Sequence, residues 1–328
     1  MAQKIHLDET DFKLIYYLEQ DCRLSLRELG EKVGISKRMT DYRIRRLESN
    51  QVILGYSVIL DNSLLGYVNH DVWIQLKSSS EKRRDEFIDA LVKNPSVNWV
   101  SSCGGKFDVG ISILSPNVST FSETFDNILD LYSDIILNYF VTITNKFQFY
   151  SRTYFLQKAE KFRSVKSYFS PKSAPISIDS NEKKILQVLS NNSKATAIEI
   201  GKIVGLSPNT VRLKIVSLES KGVIQGYRAI VAPSSLGFRT YEILANLTHL
   251  SESKRKSLEE YCLQNPHVAY LLNIVGPWNI DLSIDARDSD HFQQILNEFR
   301  SNFGTYLRDY EFIPIMRVHK SNYSPLLR

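Results

Sequence analysis

Two segments of the sequence, 171 residues apart, contain side chains that can hydrogen-bond to nucleic acid. Each begins with a helix-capping serine, and the apolar residues that follow recur at helical spacing, so one face of each helix is predicted to remain in solvent. The candidate contact residues are Ser36, Lys37, Arg38, Asp41, Tyr42, Arg43, Arg45 and Arg46 in the first segment, and Ser207, Asn209, Thr210, Arg212, Leu213 and Lys214 in the second. Arginine commonly binds guanine and asparagine commonly binds adenine in the major groove. The two faces therefore have the chemistry needed to recognise a base sequence.

Within these segments the residues are predicted to differ in role. Arg43, Arg46 and Lys214 lie toward the side of each helix, where contact with phosphate is expected rather than contact with bases. Asp41 occupies the position of Arg212 in the other segment. A carboxylate there repels phosphate unless it accepts a hydrogen bond from a cytosine amino group, so the first helix is expected to bind weakly and to prefer a different sequence. The alternative is that each basic face is only a solvated surface.

The elements that position these helices are duplicated along the whole chain. Residues 7–150 recur as residues 178–321, and the first part of each copy predicts three helices. Asp8 and Asp179 cap the first helix. The second helix ends at Gly34 or Gly205, since glycine tolerates the left-handed conformation of a helix stop. Helix, glycine turn and helix at this spacing predict a helix-turn-helix in each copy.

The second part of each copy predicts the order βαββαβ, which is a ferredoxin-like layer of antiparallel sheet with helices on one face. The fold class is therefore α+β, with two tandem repeats. The predicted domains are 1–64 and 177–235 (helix-turn-helix), 65–150 and 236–328 (ferredoxin-like), and a basic aromatic linker, 151–176. One face of each sheet lacks a cover, so self-association through these sheets is expected.

Composition limits the class of protein. The 328 residues are 43% apolar and 23% charged, with a net charge of +5, which is compatible with a polyanionic partner without establishing one. No apolar run approaches the roughly 20 residues of a membrane span, and no signal peptide is evident. The three cysteines share no metal-ligand spacing and have no counterparts in the other copy. We therefore expect a cytoplasmic protein with free thiols, no metal and no cofactor.

The motifs together resemble the Lrp/AsnC (feast/famine) family of transcription regulators. The resembling segments are Leu29-Gly30 through Ser36, Arg46-Leu47-Glu48, Val52 through Tyr56 and Gly105 through Asp108, with Ile200-Gly201 through Ser207, Leu218 through Tyr227 and Gly276 through Asn279 in the second copy. The resemblance covers nearly the whole chain apart from the linker. It implies a regulator that binds double-stranded DNA, has an effector-sensing domain and dimerises through its sheet.

The resemblance also implies a site for an amino acid or related metabolite near a Gly-x-x-Asp loop. The corresponding residues here are Gly104, Gly105, Lys106, Phe107 and Asp108, with Gly276, Pro277, Trp278 and Asn279 in the second copy. Asn279 departs from the pattern, because an amide cannot neutralise an amino group as a carboxylate does, although Asp281 is nearby. The alternative is that the glycines form hairpin turns and that Phe107 and Trp278 belong to the core.

The linker alternates cations with aromatic residues, and its cations could cross DNA phosphates. Alternatively it forms a short helix that packs between the repeats with its lysines in solvent. The cations are Arg152, Lys158, Lys161, Arg163, Lys166 and Lys172, and the aromatic residues are Tyr154, Phe155, Phe162, Tyr168 and Phe169.

Two further functions remain as alternatives. Siroheme decarboxylases have a similar fold, but they would need histidine and arginine around a tetrapyrrole. The six histidines here are scattered, and none recurs in the other copy. The second alternative is a protein that binds no DNA and instead caps other family members through its sheet. The basic helix faces favour the DNA-binding regulator, so no enzymatic activity is expected.

Overall fold

The computed structural model describes residues 6–78, 80–154, 156, 163–170, 174–248, 251–322 and 324. The first copy consists of α1 (Glu9–Gln20), α2 (Leu26–Val33), α3 (Lys37–Ser49), β1 (Ile53–Leu60), β2 (Val68–Leu76), α4 (Glu81–Lys93), β3 (Val97–Cys103), β4 (Val109–Ser115), α5 (Val118–Tyr132) and β5 (Ile136–Tyr150). Strand β6 (Val165–Phe169) follows. The second copy consists of α6 (Ser180–Asn191), α7 (Ala197–Val204), α8 (Pro208–Ser220), β7 (Ile224–Val231), a 3-10 turn (Pro233–Leu236), β8 (Arg239–Leu247), α9 (Glu252–Gln264), β9 (Val268–Val275), β10 (Ile280–Ala286), α10 (Ser289–Phe303) and β11 (Leu307–Ser321). The predicted α+β repeat is confirmed in both copies.

Local capping explains the helix boundaries. Asp8 and Asp179 each form a capping box with the acid three residues later. Gly34 and Gly205 end α2 and α7 with φ of 77° and 74°, a conformation that strongly favours glycine. The helix caps and glycine stops predicted from sequence are therefore present in both copies.

The two helix-turn-helix domains form a single body. Strands β1 and β7 pair antiparallel, with Tyr56 opposite Ala229, to make a two-stranded sheet that we call the bridging ribbon. One continuous apolar core contains Leu14 and Leu47 of the first copy together with Leu189 and Leu218 of the second. Because one core is shared, α3 and α8 are held in a fixed relation.

The two ferredoxin-like sheets also pair with each other. Each follows the order expected for βαββαβ, namely β5-β2-β4-β3 and β11-β8-β10-β9. Their edges join through β3–β11 and β5–β9, so the eight strands close on themselves. Phe107, Phe147, Leu244 and Trp278 are members of an apolar cluster that contains residues of both copies. The missing cover predicted for each sheet is the other copy in the same chain, so these faces are not free to join a second chain.

The described part of the linker packs against protein. Strand β6 extends the sheet beside β5. Arg163 donates to the carbonyl oxygens of Cys262 and Asn265, Lys166 donates to that of Gln20, and Arg152 is buried. These three cations are engaged within the fold, so the linker packs against protein, but the expected short helix is wrong over Val165–Phe169, which form a strand, and Lys166 is not solvated. Lys158, Lys161, Lys172, Phe155 and Phe162 lie outside the described residues. Within the described ranges, no helix has both the length and the apolar character to span a membrane.

Candidate nucleic-acid interface

The first recognition helix, α3, presents a cationic face. Lys37, Arg38, Tyr42 and Arg45 are exposed, with Tyr42 58% accessible. Ser36 is used at the helix start, where its hydroxyl accepts the N–H of Met39 at 3.3 Å. Thr40, Ile44 and Leu47 fill the buried side. The exposed set coincides with the face expected to meet base edges.

Asp41 on this face forms an ion pair with a neighbouring arginine. Arg45, one turn later, donates to its carboxylate at 3.0 Å, and both side chains are in solvent. This pair offsets the repulsion that Asp41 would otherwise exert on phosphate. The expected weakness of the first helix stays a prediction, with the Asp41 charge partly neutralised by Arg45.

The three residues expected to contact phosphate make ion pairs within their own domain. Arg43 lies 2.8 Å from Asp8 and 2.9 Å from Asp11, and Arg46 also pairs with Asp11. Lys214 pairs with Asp179 at 2.5 Å, across the same 35-residue separation as Arg43 and Asp8. Burial raises the pKa of Asp8, but the N–H of Asp11 and the Arg43 guanidinium outweigh it and lower that pKa overall. These cations hold the third helix of each domain against the first.

The second recognition helix, α8, differs in character. Asn209 and Arg212 are exposed as predicted, while Ser207 and Thr210 bond to each other at the helix start, 2.8 Å apart. Leu213 and Val216 are 64% and 59% exposed, and Ile203 on α7 is 68% exposed. The corresponding residues of the first copy are Tyr42, Arg45 and Lys32. The second face is thus largely apolar where the first is cationic.

The two loops expected to bind an effector meet at the interface of the sheets. Phe107 and Trp278 are buried in the shared cluster, and their ring centroids lie 6.1 Å apart. Gly105, with φ of 84°, is a turn glycine, and Gly104 donates its N–H to Pro314. Gly276 and Pro277 are exposed. The turn at Gly105 and the burial of Phe107 and Trp278 agree with the hairpin-and-core alternative.

Asp108 and Asn279 perform the same structural task. Asp108 accepts the N–H of Leu76 at 2.8 Å, and Asn279 accepts that of Leu247 at 2.9 Å. An amide oxygen accepts a backbone N–H as well as a carboxylate does. This explains why asparagine stands at position 279 where the family pattern has aspartate. The exposed cation of the first loop, Lys106, pairs with Glu311 at 3.3 Å and lies 5.8 Å from the Trp278 ring.

The sequence interpretation missed a set of acids between the sheets. Asp71, Glu242 and Asp281 line one cavity there; Asp71 and Asp281 are 6% and 5% exposed, and Glu242 is partly buried. Burial raises the pKa of Glu242 to about 7, and it also raises the pKa of Asp281, which the Glu242 charge raises further. One signal was present in the sequence, because an acid recurs in an otherwise apolar strand at positions 71 and 242, 171 apart.

Comparison with known proteins places this geometry in a family. Residues 7–48 match the profile of an AsnC-type helix-turn-helix domain, and residues 178–225 match that of a winged helix-turn-helix DNA-binding domain. The HTH-type transcriptional regulator FL11 of Pyrococcus horikoshii is 32% identical over 132 residues, which are 40% of this chain and 83% of that protein. The leucine-responsive regulatory protein of Rhizobium meliloti is 31% identical over 38% of this chain and 80% of its own length.

A solved structure matches the whole tandem arrangement. The siroheme decarboxylase NirDL superposes with a TM-score of 0.63, covering 98% of this chain and 96% of its own, at 14% sequence identity. At that identity the likeness concerns the fold alone. The two matched helix-turn-helix domains and the related regulators show the family: the chain belongs to the Lrp/AsnC family of DNA-binding transcription regulators and contains two of the family's units in one polypeptide.

Proposed function

We propose that this regulator binds a single DNA site with both recognition helices at once. The observation that supports this most directly is the bridging ribbon with its shared core, which joins α3 and α8 in one body. Two helices held in this way suit half-sites about 10 base pairs apart, or a multiple of that spacing. A second chain is not needed to bring two recognition helices to one DNA site.

The two half-sites are proposed to differ in sequence. On α3, Arg38 and Arg45 offer guanidinium groups to guanine and to phosphate. On α8, Asn209 and Arg212 suit adenine and guanine, while Leu213 can contact a thymine methyl group. Because the exposed faces of α3 and α8 differ, an asymmetric DNA site is expected. Two identical recognition helices would instead select a palindrome.

Binding-site selection with the purified chain tests this proposal. Random duplexes would be enriched at physiological salt, sequenced, and the strongest site mapped by footprinting. The expected site contains two unlike elements on one face of the helix. A palindromic site would contradict the proposed asymmetry. A site with one short element would show that only one of the two recognition helices contacts bases specifically.

We also propose that the protein is not an enzyme. A drug-sized ligand usually occupies about 300–1,000 Å³, whereas the cavity between the sheets has a volume of about 80 Å³, and its three acids oppose a carboxylate-rich tetrapyrrole. A larger cleft of about 800 Å³ lies beside α10 and β11, and none of the histidines in the described ranges lines it. Mixing the protein with siroheme should leave the absorbance spectrum of the tetrapyrrole unchanged, and a saturable spectral shift would contradict this proposal.

Family membership supports two finer proposals. The protein acts in the cytoplasm, in keeping with its three free cysteines, and an amino acid or related metabolite modulates DNA binding. The exposed loop residues Gly105, Lys106, Gly276 and Pro277 are the places where such an effector could be contacted. Gel shifts on the selected site, with each of the twenty amino acids added, should reveal one that changes affinity, and twenty unchanged titrations would exclude amino acids as effectors.

A further inference from the structure

A small cavity lies between the two sheets, apart from the loops and the recognition helices. Its volume is about 80 Å³, enough for several waters or one small organic molecule. Carboxyl groups and aromatic rings dominate its wall, and none of the lysines or arginines in the described ranges lines it. The wall residues used below are Asp71, Trp73, Trp99, Glu242, Tyr270 and Asp281.

Two of the acids are equivalent in the repeat and face the cavity from opposite copies. Asp71 accepts hydrogen bonds from Ser112, from Asn69 and from Thr144, so its oxygens are well supplied with donors. Glu242 accepts from Ser283, the counterpart of Ser112, at 3.0 Å. Glu242 can therefore accept further hydrogen bonds, whereas the oxygens of Asp71 are already occupied by three donors.

The third acid has no counterpart. Asp281 occupies the position that is Gly110 in the first copy. A Cβ at Gly110 would lie 2.7 Å from the Trp73 ring and 2.8 Å from the Trp99 ring, so the first copy fills this space with indoles. The second copy places a carboxyl group there instead. The cavity therefore has a polar end and an aromatic end.

A protonated Asp281 carboxyl donates a hydrogen bond to the Glu242 carboxylate, which is one reason why the pKa of Asp281 is raised. Oδ1 of Asp281 and Nε1 of Trp73 have no other hydrogen-bond partner among the described residues, and the two residues are 5% and 2% exposed. Leaving a buried polar group unsatisfied costs about 1–3 kcal/mol. A ligand that donates hydrogen bonds to Asp281 would remove part of that cost.

Charge and wall chemistry define the ligand class. Three carboxyl groups without a lining cation favour a positive ligand, and indole and phenol rings bind ammonium and guanidinium groups through their π faces. No set of three or more metal-binding side chains comes together in the described ranges. A ligand carboxylate would face Asp71, Glu242 and Asp281 at close range and be repelled.

We propose that this cavity binds a small organic cation without a carboxylate, namely a primary amine or a guanidine. Glu242 and Asp281 accept its N–H groups, and Trp73, Trp99 and Tyr270 cover its alkyl portion. None of the candidate effector-loop residues lines this cavity, although the Trp73 ring lies 6.0 Å from that of Phe107, and the site does not depend on the proposed mode of DNA recognition.

Isothermal titration calorimetry on the full chain at pH 8 tests this inference, with ethanolamine, putrescine and agmatine as probes and alanine as the zwitterionic comparison. At least one amine should bind saturably at one site per chain, more than 10-fold tighter than alanine. Affinity should fall as the pH is lowered below 7, because protonation of Glu242 removes a charge that faces Asp71, Asp281 and Asp285. Absence of saturable heat with all three amines would overturn the proposal.

Matched amide substitutions locate the site. Asp281→Asn keeps the shape and removes the charge, and it should weaken amine binding at least 10-fold. Asp108→Asn makes the same change at the loop and should leave binding unchanged. Glu242→Gln provides a second cavity variant in case Asp281→Asn fails to fold, as judged by circular dichroism. Equal binding by wild type and a folded cavity variant would refute the site, as would loss of binding in Asp108→Asn alone.

Discussion

At the residue scale, buried charges join parts of the molecule that are distant in sequence. Arg152 lies 2.6 Å from Glu19 on α1 and 2.6 Å from Asp285 on β10. All three side chains are nearly inaccessible, and Tyr154 also donates to Asp285. The burial of Arg152 opposes its charge, but the two acids outweigh this and hold its pKa well above its usual value. One linker residue thereby ties the first helix-turn-helix domain to the second sensing domain.

Replacing Arg152 with methionine is expected to destabilise the fold by about 3–5 kcal/mol, because two buried carboxylates lose their partner. Urea unfolding followed by circular dichroism measures this. Arg27→Met is the control, since Arg27 forms an exposed pair with Glu31 on one helix, and such pairs contribute about 0.3–0.5 kcal/mol. Equal midpoints for the two variants would show that the triad does not hold the domains together.

The acids of the cavity predict a pH dependence of stability. Burial raises the pKa of Glu242 from 4.5 to about 7, so the folded state binds a proton more tightly than the unfolded chain. Stability from this group is present below pH 4.5 and is lost as the pH rises through 7. Asp71, Asp281 and Asp285 face the same group. Glu242→Gln should therefore flatten the fall in unfolding free energy between pH 4.5 and 8, and a parallel curve for wild type and variant would contradict this.

At the element scale, duplication has preserved the helices but not their outer surfaces. Helices α3 and α8 share a serine cap, an apolar inner stripe and a cation bound to the acidic cap of the first helix. Their solvent faces have diverged, with Tyr42 and Arg45 in one and Leu213 and Val216 in the other. Packing limits the inner face, whereas the outer face is limited only by what it binds.

Arg212→Ala is expected to weaken specific DNA binding by about 1–3 kcal/mol and to relax base preference in one half-site. Arg38→Ala should produce the same pattern in the other half-site. Gel-shift titrations on the selected site and on single-base variants measure both effects. Lys256→Ala, an exposed cation on α9, is the control. Unchanged affinity for Arg212→Ala would remove this residue from the reading face.

At the scale of the whole molecule, the chain forms within itself an assembly of two equivalent units. The bridging ribbon joins the two helix-turn-helix domains, and the paired edges β3–β11 and β5–β9 join the two ferredoxin-like sheets. Each unit alone would expose the apolar inner face of its sheet and two unpaired strand edges. Such surfaces drive association.

Residues 1–176 expressed alone are therefore expected to form a dimer of two copies. Light scattering after gel filtration measures its mass. Co-expression with residues 177–328 provides the control, and should give a one-to-one complex that elutes like the intact chain. A folded, monomeric half-chain would show that the pairing between copies is not needed for stability.

The sequence alone determined the repeat, the element order, the helix boundaries and the exposed recognition residues, because capping, glycine stops and apolar periodicity are local properties. It set Arg43, Arg46 and Lys214 apart as phosphate contacts, but it did not show that they pair with acids at the start of the first helix, 35 residues earlier. Only the tertiary structure decided that the copies share cores, that linker arginines are buried and that three acids surround a cavity. Those contacts join residues far apart in the chain, and local sequence patterns contain no information on which distant surfaces will meet.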